Sequence, residues 1–243
     1  MSSDYRALIP ERLSSIREGI AEASGRSGRD PGSVVIQAVT KFHPIAAVEA
    51  AWDAGLRSFG ENRVQEALDK FPGFLATHAG AQLELLGHLQ SNKLGKALGL
   101  FHRICSIDSR DLLGRIIERM DAPATVTREF LFELHTAEDS KSGFSSEDEL
   151  LYACELIFGH YPRLEGRLRL RGLMTMAPAT EDEAAIRSSF QRLRRLSEAI
   201  GTRFSPPDFN VLSMGMSGDY RLAVEEGSTL VRIGTALLGQ RSP

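Results

Sequence analysis

Residues 34–60 read VVIQAVTKFHPIAAVEAAWDAGLRSFG and contain the pattern of one strand, one helix and a second strand. The run Val34–Thr40 is rich in β-branched residues, which favour extended structure. Pro44 stands where a first helical turn would begin, Ile45–Ala54 has helical composition, and Gly55 ends the helix. A second β-rich run, Arg57–Gly60, follows directly. A strand, a helix and a strand in this order predict one unit of a parallel sheet.

The same alternation continues on the C-terminal side of this unit. The β-rich runs are Val34–Thr40, Arg57–Gly60, Leu83–Gly87, Arg103–Ile107, Glu129–Leu134, Leu170–Met176, Phe209–Met214 and Leu230–Ile233. Eight strand–helix units in roughly 210 residues predict an α/β fold, a single (β/α)8 TIM barrel. An open doubly wound sheet with one miscounted strand is the alternative.

An amphipathic segment precedes the first strand. Over Asp4–Ser24, the residues Leu8, Leu13, Ile16 and Ile20 recur near helical spacing, and the glycine-containing stretch Gly25–Gly32 follows. This pattern predicts an extra N-terminal helix, within residues 1–24, that packs on the barrel.

Later segments carry signals for helix ends. Ser146 with Glu149, and Thr180 with Glu183, fit the capping box, in which two side chains satisfy the free amides at a helix start. The second box precedes a segment with one apolar face, formed by Ile186, Phe190, Leu193 and Ile200. Gly201 follows at the position expected for the end of this helix.

The composition of the chain excludes several classes of protein. Its 243 residues are 42% hydrophobic and 25% charged, with a formal net charge of −3, which is ordinary for a globular chain. The two arginine-rich stretches, Arg163–Arg171 and Arg192–Arg195, indicate solvated faces, and we expect no nucleic-acid binding. No linker divides the sequence, so we expect residues 1–243 to form a single domain.

Cysteine use and the N-terminus bear on the cellular compartment. Cys105 and Cys154 each lie in an apolar stretch, and the sequence has no CxxC pair, so we expect buried thiols and neither a metal site nor a disulfide. The N-terminus lacks the apolar segment of a signal peptide, and no uncharged stretch is long enough to span a bilayer. We therefore expect a cytoplasmic protein that does not bind membranes.

Polar residues follow many of the predicted strands. They are Lys41, Glu61, Asn62, His88, Asp108, Ser213, Arg232, Gly234 and Thr235, together with Gly215. In a βα barrel the carboxyl ends of the strands face one mouth, where barrel enzymes place their sites. Any one of these residues could simply begin a helix, but the whole set favours a ligand site.

Lys41 is the residue of this set that indicates a function most clearly. It ends an apolar run and has no acidic neighbour close in sequence. Partial desolvation near other cations lowers the pKa of an ammonium group and favours the neutral amine, which can form a Schiff base with an aldehyde. A lysine that only extends its ammonium to solvent is the alternative reading.

Two glycine-containing loops favour an anion site. The first is Leu212–Asp219, where small residues let backbone amides approach a phosphate, and a helix is expected to begin near Asp219. The second is Val231–Thr235, where Gly234 and Thr235 offer two further amides and a hydroxyl. The loops after strands seven and eight commonly hold phosphate in this architecture. Glycines that merely turn the chain are the alternative.

The sequence resembles the YggS/PROSC family of pyridoxal phosphate homeostasis proteins. The segments that carry the resemblance are Ala38–Lys41, Phe59–Glu66, Leu86–Lys93, Gly172–Met176, Leu212–Asp219 and Val231–Gly239. They keep their order and extend over nearly the whole chain. The resemblance implies a barrel like the N-terminal domain of alanine racemase, with pyridoxal 5′-phosphate (PLP) as cofactor.

The resemblance also implies roles for individual residues. Lys41 is similar to the lysine that holds PLP as a Schiff base, and Arg232 would face the pyridine nitrogen. The phosphate would be held by Ser213, Gly215, Ser217, Gly234 and Thr235, and the ring would lie near Asn62 and Met174. His88 matches by its position at a strand end, without a defined contact.

The chain departs from the family pattern at the fifth strand. The family usually has an asparagine at the end of this strand, where the present sequence reads Glu133-Leu134-His135. The following Ser140-Lys141-Ser142-Gly143 matches the pattern. A polar contribution from strand five is therefore the open point of the resemblance.

Three functions are compatible with this reading. The first is a non-catalytic PLP-binding protein of intracellular PLP (vitamin B6) and amino-acid homeostasis, with PLP-dependent apo-enzymes as partners and a monomeric state. The second is a small fold-type III PLP enzyme resembling an amino-acid racemase; such an enzyme needs a second acid/base group, supplied in this group of proteins by an extra β-domain. Because the sequence ends eight residues after Thr235, we expect no such domain. The third is a Schiff-base aldolase that uses Lys41 without a cofactor.

Overall fold

Eight parallel strands form a closed barrel in the computed structural model, which describes residues 4–120, 125–136, 142–164 and 167–240. Each strand pairs with the next one in the chain, and β8 pairs with β1, with Val35 opposite Leu230 and Ala38 opposite Ile233. The strands are β1 (Val35–Val39), β2 (Ser58–Glu61), β3 (Gln82–Leu85), β4 (Arg103–Ile107), β5 (Glu129–Glu133), β6 (Arg169–Met174), β7 (Val211–Met216) and β8 (Leu230–Ile233). The predicted barrel is confirmed, and the open sheet is excluded.

Helices connect the strands and surround the barrel. They are α1 (Tyr5–Arg26), α2 (Ile45–Asp53), α3 (Val64–Lys70), α4 (Pro72–Thr77), α5 (Leu94–Leu98), α6 (Arg110–Arg119), α7 (Glu147–Leu164), α8 (Glu183–Phe204), α9 (Tyr220–Glu225) and α10 (Thr235–Leu238). Their apolar faces pack on the outside of the sheet, where Phe59, Phe132 and Phe190 belong to the main core. In the described segments, none of these helices is both long enough and apolar enough to cross a membrane.

The N-terminal helix packs on the barrel, as the sequence predicts. Helix α1 contacts α2, α9 and α10, and Leu13, Ile16 and Ile20 are buried in this contact. Leu8, which the spacing assigned to the same face, is 37% exposed, and Ile9 is buried in its place. The apolar face thus begins one residue later than the sequence suggests.

The first predicted capping box is observed in part, and the second is not. Ser146 accepts a hydrogen bond from the Glu149 amide at 3.2 Å, while the Glu149 carboxylate accepts from the Ser145 hydroxyl at 2.7 Å. The box of Thr180 with Glu183 is wrong, because α8 begins at Glu183 and Asp182 caps it by accepting from the amides of Ala184 and Ala185.

Helix α8 also continues past Gly201. Phe204 extends its apolar face by packing on Phe158, with ring centroids 4.9 Å apart. The helix ends at Ser205, which adopts a left-handed conformation with φ of 44°. The predicted end at Gly201 is therefore wrong, because tertiary packing favours one more turn.

Inside the barrel, a belt of hydrogen bonds links six adjacent strands. Its members are Gln37, Ser58, Glu84, Arg103, Glu129 and Arg171, and we call this set the interior belt. Ser58 connects Gln37 and Glu84 through hydrogen bonds of 3.0 Å each. Arg103 then bridges Glu84 at 3.2 Å and Glu129 at 2.6 Å, and Arg171 donates to Glu129 at 2.8 Å. Because buried charges are tolerated when they are paired, this belt fills the lower interior of the barrel without isolated ions.

Candidate functional site

The carboxyl ends of the strands enclose a cavity of about 380 Å³. Of the residues expected at the site, Lys41, Asn62, His88, Met174, Ser217, Arg232, Gly234 and Thr235 line it. The wall is completed by Val39, Leu86, Gly87, Ser142, Met176, Met216 and Gly218. Six of the ten strand-end residues singled out in the sequence therefore converge on one cavity, whereas Glu61, Asp108, Ser213 and Gly215 are not part of its wall.

Lys41 lies on a tight turn that follows β1. The His43 amide donates to the Thr40 carbonyl oxygen at 3.0 Å and closes this turn. Phe42, next to Lys41, has φ of 65°, a left-handed conformation that is uncommon for a bulky residue. The half-buried side chain of Lys41 lines the cavity. This turn therefore places a primary amine at the mouth of the barrel.

A second lysine lies beneath this turn. Lys70, at the end of α3, is almost completely buried, and its Nζ donates to the carbonyl oxygens of Thr40 and His43 at 2.9 and 3.0 Å. The same Nζ lies 2.6 Å from Glu61 and 3.0 Å from Glu66. Sequence reasoning listed Glu61 among the strand-end residues but did not identify Lys70.

Arg232 is the charged residue of the last strand, and its side chain reaches across the barrel. It is 4% exposed and donates from Nη1 to the Ser213 carbonyl oxygen at 2.7 Å and the Ser213 hydroxyl at 2.9 Å. Its Nη2 donates to the Thr175 carbonyl oxygen at 2.8 Å. Burial lowers the pKa of the Arg232 guanidinium, although nearby Glu133 and Asp219 act in the opposite direction. The guanidinium is thus held in one orientation at the cavity wall.

Two of the residues expected to hold the phosphate lie outside the cavity wall. Ser213 is fully buried, and its hydroxyl accepts the bond from Arg232. Gly215 has φ of +94°, and a Cβ built there would come within 2.5 Å of the Ala223 side chain and 3.0 Å of the Tyr220 backbone. Ser213 therefore orients Arg232, and Gly215 lets β7 pack closely on α9.

The other loop residues form one end of the cavity. The Ser217 hydroxyl accepts from the Ala236 amide at 3.2 Å and so joins the loop after β7 to the start of α10. A Cβ at Gly218 would meet nothing within 4 Å, and one at Gly234 would make only ordinary contacts with Val39. Packing within the chain does not require glycine at these two positions, and the missing side chains leave room for a ligand.

His88 stands at the rim on the opposite side. Its Nδ1 lies 2.6 Å from the Asp108 carboxylate, and its side chain is 59% exposed. Glycine at the preceding position is required, because a Cβ at Gly87 would lie 2.3 Å from the Asn62 carbonyl oxygen. His88 follows β3 and Asp108 follows β4, so two strand ends named from the sequence form one hydrogen-bonded pair.

Glu133, at the end of β5, lies behind the cavity wall and contacts it through Ser142. It is 1% exposed, and its Oε1 accepts from the Ser142 hydroxyl at 2.8 Å. No residue of the described segments hydrogen-bonds to Oε2. Burial raises the pKa of Glu133 to about 7, and Ser142 and Arg232 only partly oppose this effect. Leu134 is buried, His135 is half-buried, and Ser140 and Lys141 lie outside the described residues.

Sequence reasoning did not single out Glu133 as a buried carboxyl beside the cavity. The available signal was a charged residue at the end of the apolar run Phe130–Phe132, since charged residues are almost never buried without a specific environment. Sequence reasoning considered only the missing asparagine at Glu133-Leu134-His135 and not the burial of the carboxyl.

The fold and the site define a class of proteins: parallel (β/α)8 barrels that bind a ligand at the carboxyl ends of their strands. The chain belongs to the family described as alanine racemase, N-terminal domain, whose model matches residues 12–242. An alanine racemase from Enterococcus faecalis shares this fold, with a TM-score of 0.63 at 14% identity over 92% of this chain and 58% of the racemase chain.

Closer relatives are similar to the chain over almost its entire length. A Pseudomonas aeruginosa protein named pyridoxal phosphate homeostasis protein is 39% identical over 237 residues, covering 97% of this chain and 96% of that protein. The structure of PipY from Synechococcus elongatus with PLP bound has a TM-score of 0.76 and 34% identity, and covers 95% of this chain and 100% of PipY. These comparisons confirm the resemblance to the YggS/PROSC family.

Proposed function

We propose that this protein binds PLP as a Schiff base on Lys41 and serves intracellular PLP (vitamin B6) and amino-acid homeostasis without turning over a substrate. The observation that carries the proposal is the convergence of Lys41, Arg232 and the two small-residue loops on one cavity. The names of the relatives and the PLP-bound structure of PipY support the same cofactor.

The residues of the cavity fit the three parts of PLP. The Lys41 amine can condense with the aldehyde, forming a carbon–nitrogen double bond and releasing water. Ser217, Gly218, Gly234 and Thr235 offer small, polar surroundings for the phosphate. Val39, Leu86 and Met174 provide apolar walls for the ring, and Asn62 lies at its edge in the proposed arrangement.

Arg232 supports a binding role rather than a catalytic one. A guanidinium has donors and no acceptor, so an arginine facing the pyridine nitrogen disfavours protonation of that nitrogen. Bound PLP withdraws electrons from a substrate, and it does so less strongly when its ring nitrogen is unprotonated. The bonds that Arg232 donates to Ser213 and Thr175 keep it in place for this contact.

The proposal is tested by the absorption spectrum of protein titrated with PLP. We expect a Schiff-base band in the unaltered protein, its complete loss in Lys41→Ala, and its retention in the control Lys96→Ala, which removes an exposed lysine of α5. Borohydride reduction and peptide mass measurement should then place a pyridoxyl group on Lys41. A protein that shows no Schiff-base band at saturating PLP would contradict the proposal. A sugar adduct on Lys41 would favour the aldolase.

A small PLP enzyme is the second candidate function. The pair of His88 and Asp108 at the rim favours it, because a carboxylate orients an imidazole for proton transfer in many active sites. Exchange of the α-proton of an amino acid in deuterated water, present in the unaltered protein and absent in His88→Ala, would support this candidate against the first.

The proposal also covers the compartment, the oligomeric state and the partners of the protein. We propose a cytoplasmic monomer that passes PLP to PLP-dependent apo-enzymes. Both thiols are buried and unpaired, which fits a reducing compartment. Transfer of PLP from the loaded protein to an apo-enzyme, followed by the recovery of enzyme activity, tests the partner, and sedimentation tests the monomer.

A further inference from the structure

We propose that Lys70 is a positioning residue for Lys41: its buried ammonium fixes the turn from which Lys41 reaches the cavity. The inference rests on the proposed function, since it concerns how the Lys41 amine is presented to PLP. Lys70 itself is absent from the cavity wall and acts through the backbone on either side of Lys41.

The hydrogen bonds of Lys70 hold both sides of the turn. Its Nζ donates to the Thr40 carbonyl oxygen, one residue before Lys41, and to the His43 carbonyl oxygen, two residues after it. The ammonium also lies against the Glu61 carboxylate at 2.6 Å. The three N–H donors of the ammonium go to Thr40, His43 and Glu66, and the ion pair with Glu61 joins the same cation to β2.

The acidic partners of Lys70 hold the remaining parts of the turn. The Thr40 hydroxyl donates to Glu61 at 2.7 Å, and the Phe42 amide donates to Glu66 at 2.6 Å. Both carboxylates therefore contact Lys70 and the turn at once. Lys70 is the centre of a network that restrains residues 40, 42 and 43, which surround Lys41.

Burial makes this network sensitive to the loss of the cation. Glu61 is fully buried, and burial raises the pKa of its carboxyl, while Lys70 and Thr40 lower it. Without Lys70, Glu61 would be a buried carboxylate without its cation and would take up a proton or move. The Thr40 carbonyl oxygen loses its bond from Lys70 directly, and either change at Glu61 weakens the bond from the Thr40 hydroxyl.

The conformation of the turn explains why it needs this support. Phe42 is held at φ of 65°, a left-handed conformation that is strained for a non-glycine residue. A released turn can relax this strain, and the amine of Lys41 then samples more positions. Covalent attachment requires the amine within bonding reach of the aldehyde, so its rate falls as the position is lost.

The test separates attachment from ordinary binding with two probes. PLP can attach to Lys41, whereas pyridoxamine 5′-phosphate carries the same phosphate and ring without an aldehyde. For Lys70→Met we expect PLP to attach about tenfold more slowly, with the affinity for pyridoxamine 5′-phosphate unchanged within about twofold. Lys70→Arg, which keeps a cation, should recover most of the rate, and Lys96→Met is the control.

Three outcomes would overturn the inference: attachment to Lys70→Met at the unaltered rate, an equal loss of affinity for both probes, or no recovery in Lys70→Arg. If Lys70→Met does not fold, the variant Glu61→Gln/Lys70→Met removes both buried charges together. We expect it to fold and attach PLP slowly, and fast attachment would again overturn the inference. Failure of the unaltered protein to attach PLP would instead contradict the proposed function.

Discussion

The buried carboxyl of Glu133 makes the stability of the protein depend on pH. Its pKa is raised from 4.5 to about 7 by burial, so the folded protein holds a proton there that the unfolded chain releases. Between these two values the folded state binds more protons than the unfolded state. The contribution of Glu133 to stability is therefore largest in acid and is lost as the pH rises through 7.

We expect Glu133→Gln to stabilise the protein in alkali and to have little effect in acid. The amide cannot ionise, and its oxygen can still accept from Ser142. At about 1.4 kcal/mol per pH unit, the raised pKa corresponds to about 3 kcal/mol at pH 8, declining towards zero near pH 4.5. Urea unfolding at several pH values measures this, with the exposed Glu49→Gln as control. A difference independent of pH would contradict the assignment.

Two glycines near the cavity give opposite expectations. Gly215→Ala forces a Cβ to within 2.5 Å of Ala223 at a positive φ, and we expect a loss of about 2–4 kcal/mol in stability. Gly218→Ala meets no atom within 4 Å, and we expect stability within about 0.5 kcal/mol of the unaltered protein, with weaker PLP binding. Urea unfolding and spectral titration measure the two effects. Equal losses of stability in both variants would contradict the structural reading.

At the scale of elements, helix α1 buries one face against α2, α9 and α10. Leu13 on this face is 2% exposed, whereas Leu8 is 37% exposed. We expect Leu13→Ala to lower the free energy of unfolding by about 3 kcal/mol, because it leaves a cavity between packed helices. The matched variant Leu8→Ala should change stability by less than about 0.5 kcal/mol. Comparable losses in the two variants would show that α1 packs differently.

The helices also show where local sequence signals are sufficient. The Ser146 half of the first capping box formed as expected, because a serine hydroxyl next to a helix start needs no distant partner. At α8, three acidic or hydroxyl residues precede the helix, and Asp182 caps it because its carboxylate reaches two amides. The far end of α8 depends on Phe158, a residue of another helix, so spacing along α8 could not locate it.

The strands were predicted with greater accuracy than the helix ends. All eight β-rich runs overlap observed strands, because buried parallel strands produce short apolar runs between polar turns. The mouth residues followed from this rhythm, since the carboxyl end of every strand faces the same side. Lys70 could not be found in this way, because its importance comes from its contacts with the turn after β1 and with Glu61.

At the scale of the whole molecule, both thiols report on unfolding. Cys105 and Cys154 are 0% exposed, and burial raises the pKa of Cys154 to about 12 and that of Cys105 well above its ordinary value. Thiolates are the reactive form, so an aqueous thiol reagent should label neither residue until the protein opens.

We expect PLP to slow this labelling. A ligand at a hundred times its Kd stabilises the folded state by about 2.7 kcal/mol, which corresponds to about a hundredfold slower labelling through global unfolding. Single-cysteine variants followed by mass measurement provide the rates. Rapid labelling of Cys105 in the loaded native protein would contradict its position inside the barrel.

The interior belt limits the route by which PLP can enter and leave the barrel. Between the cavity and the opposite end of the barrel, Glu84, Arg103 and their partners occupy the space with paired charges. A small anion driven through this layer would have to break several of these ion pairs at once. We therefore expect PLP to enter and leave through the mouth, and an apo-enzyme that receives PLP directly, as proposed, would have to dock at that face.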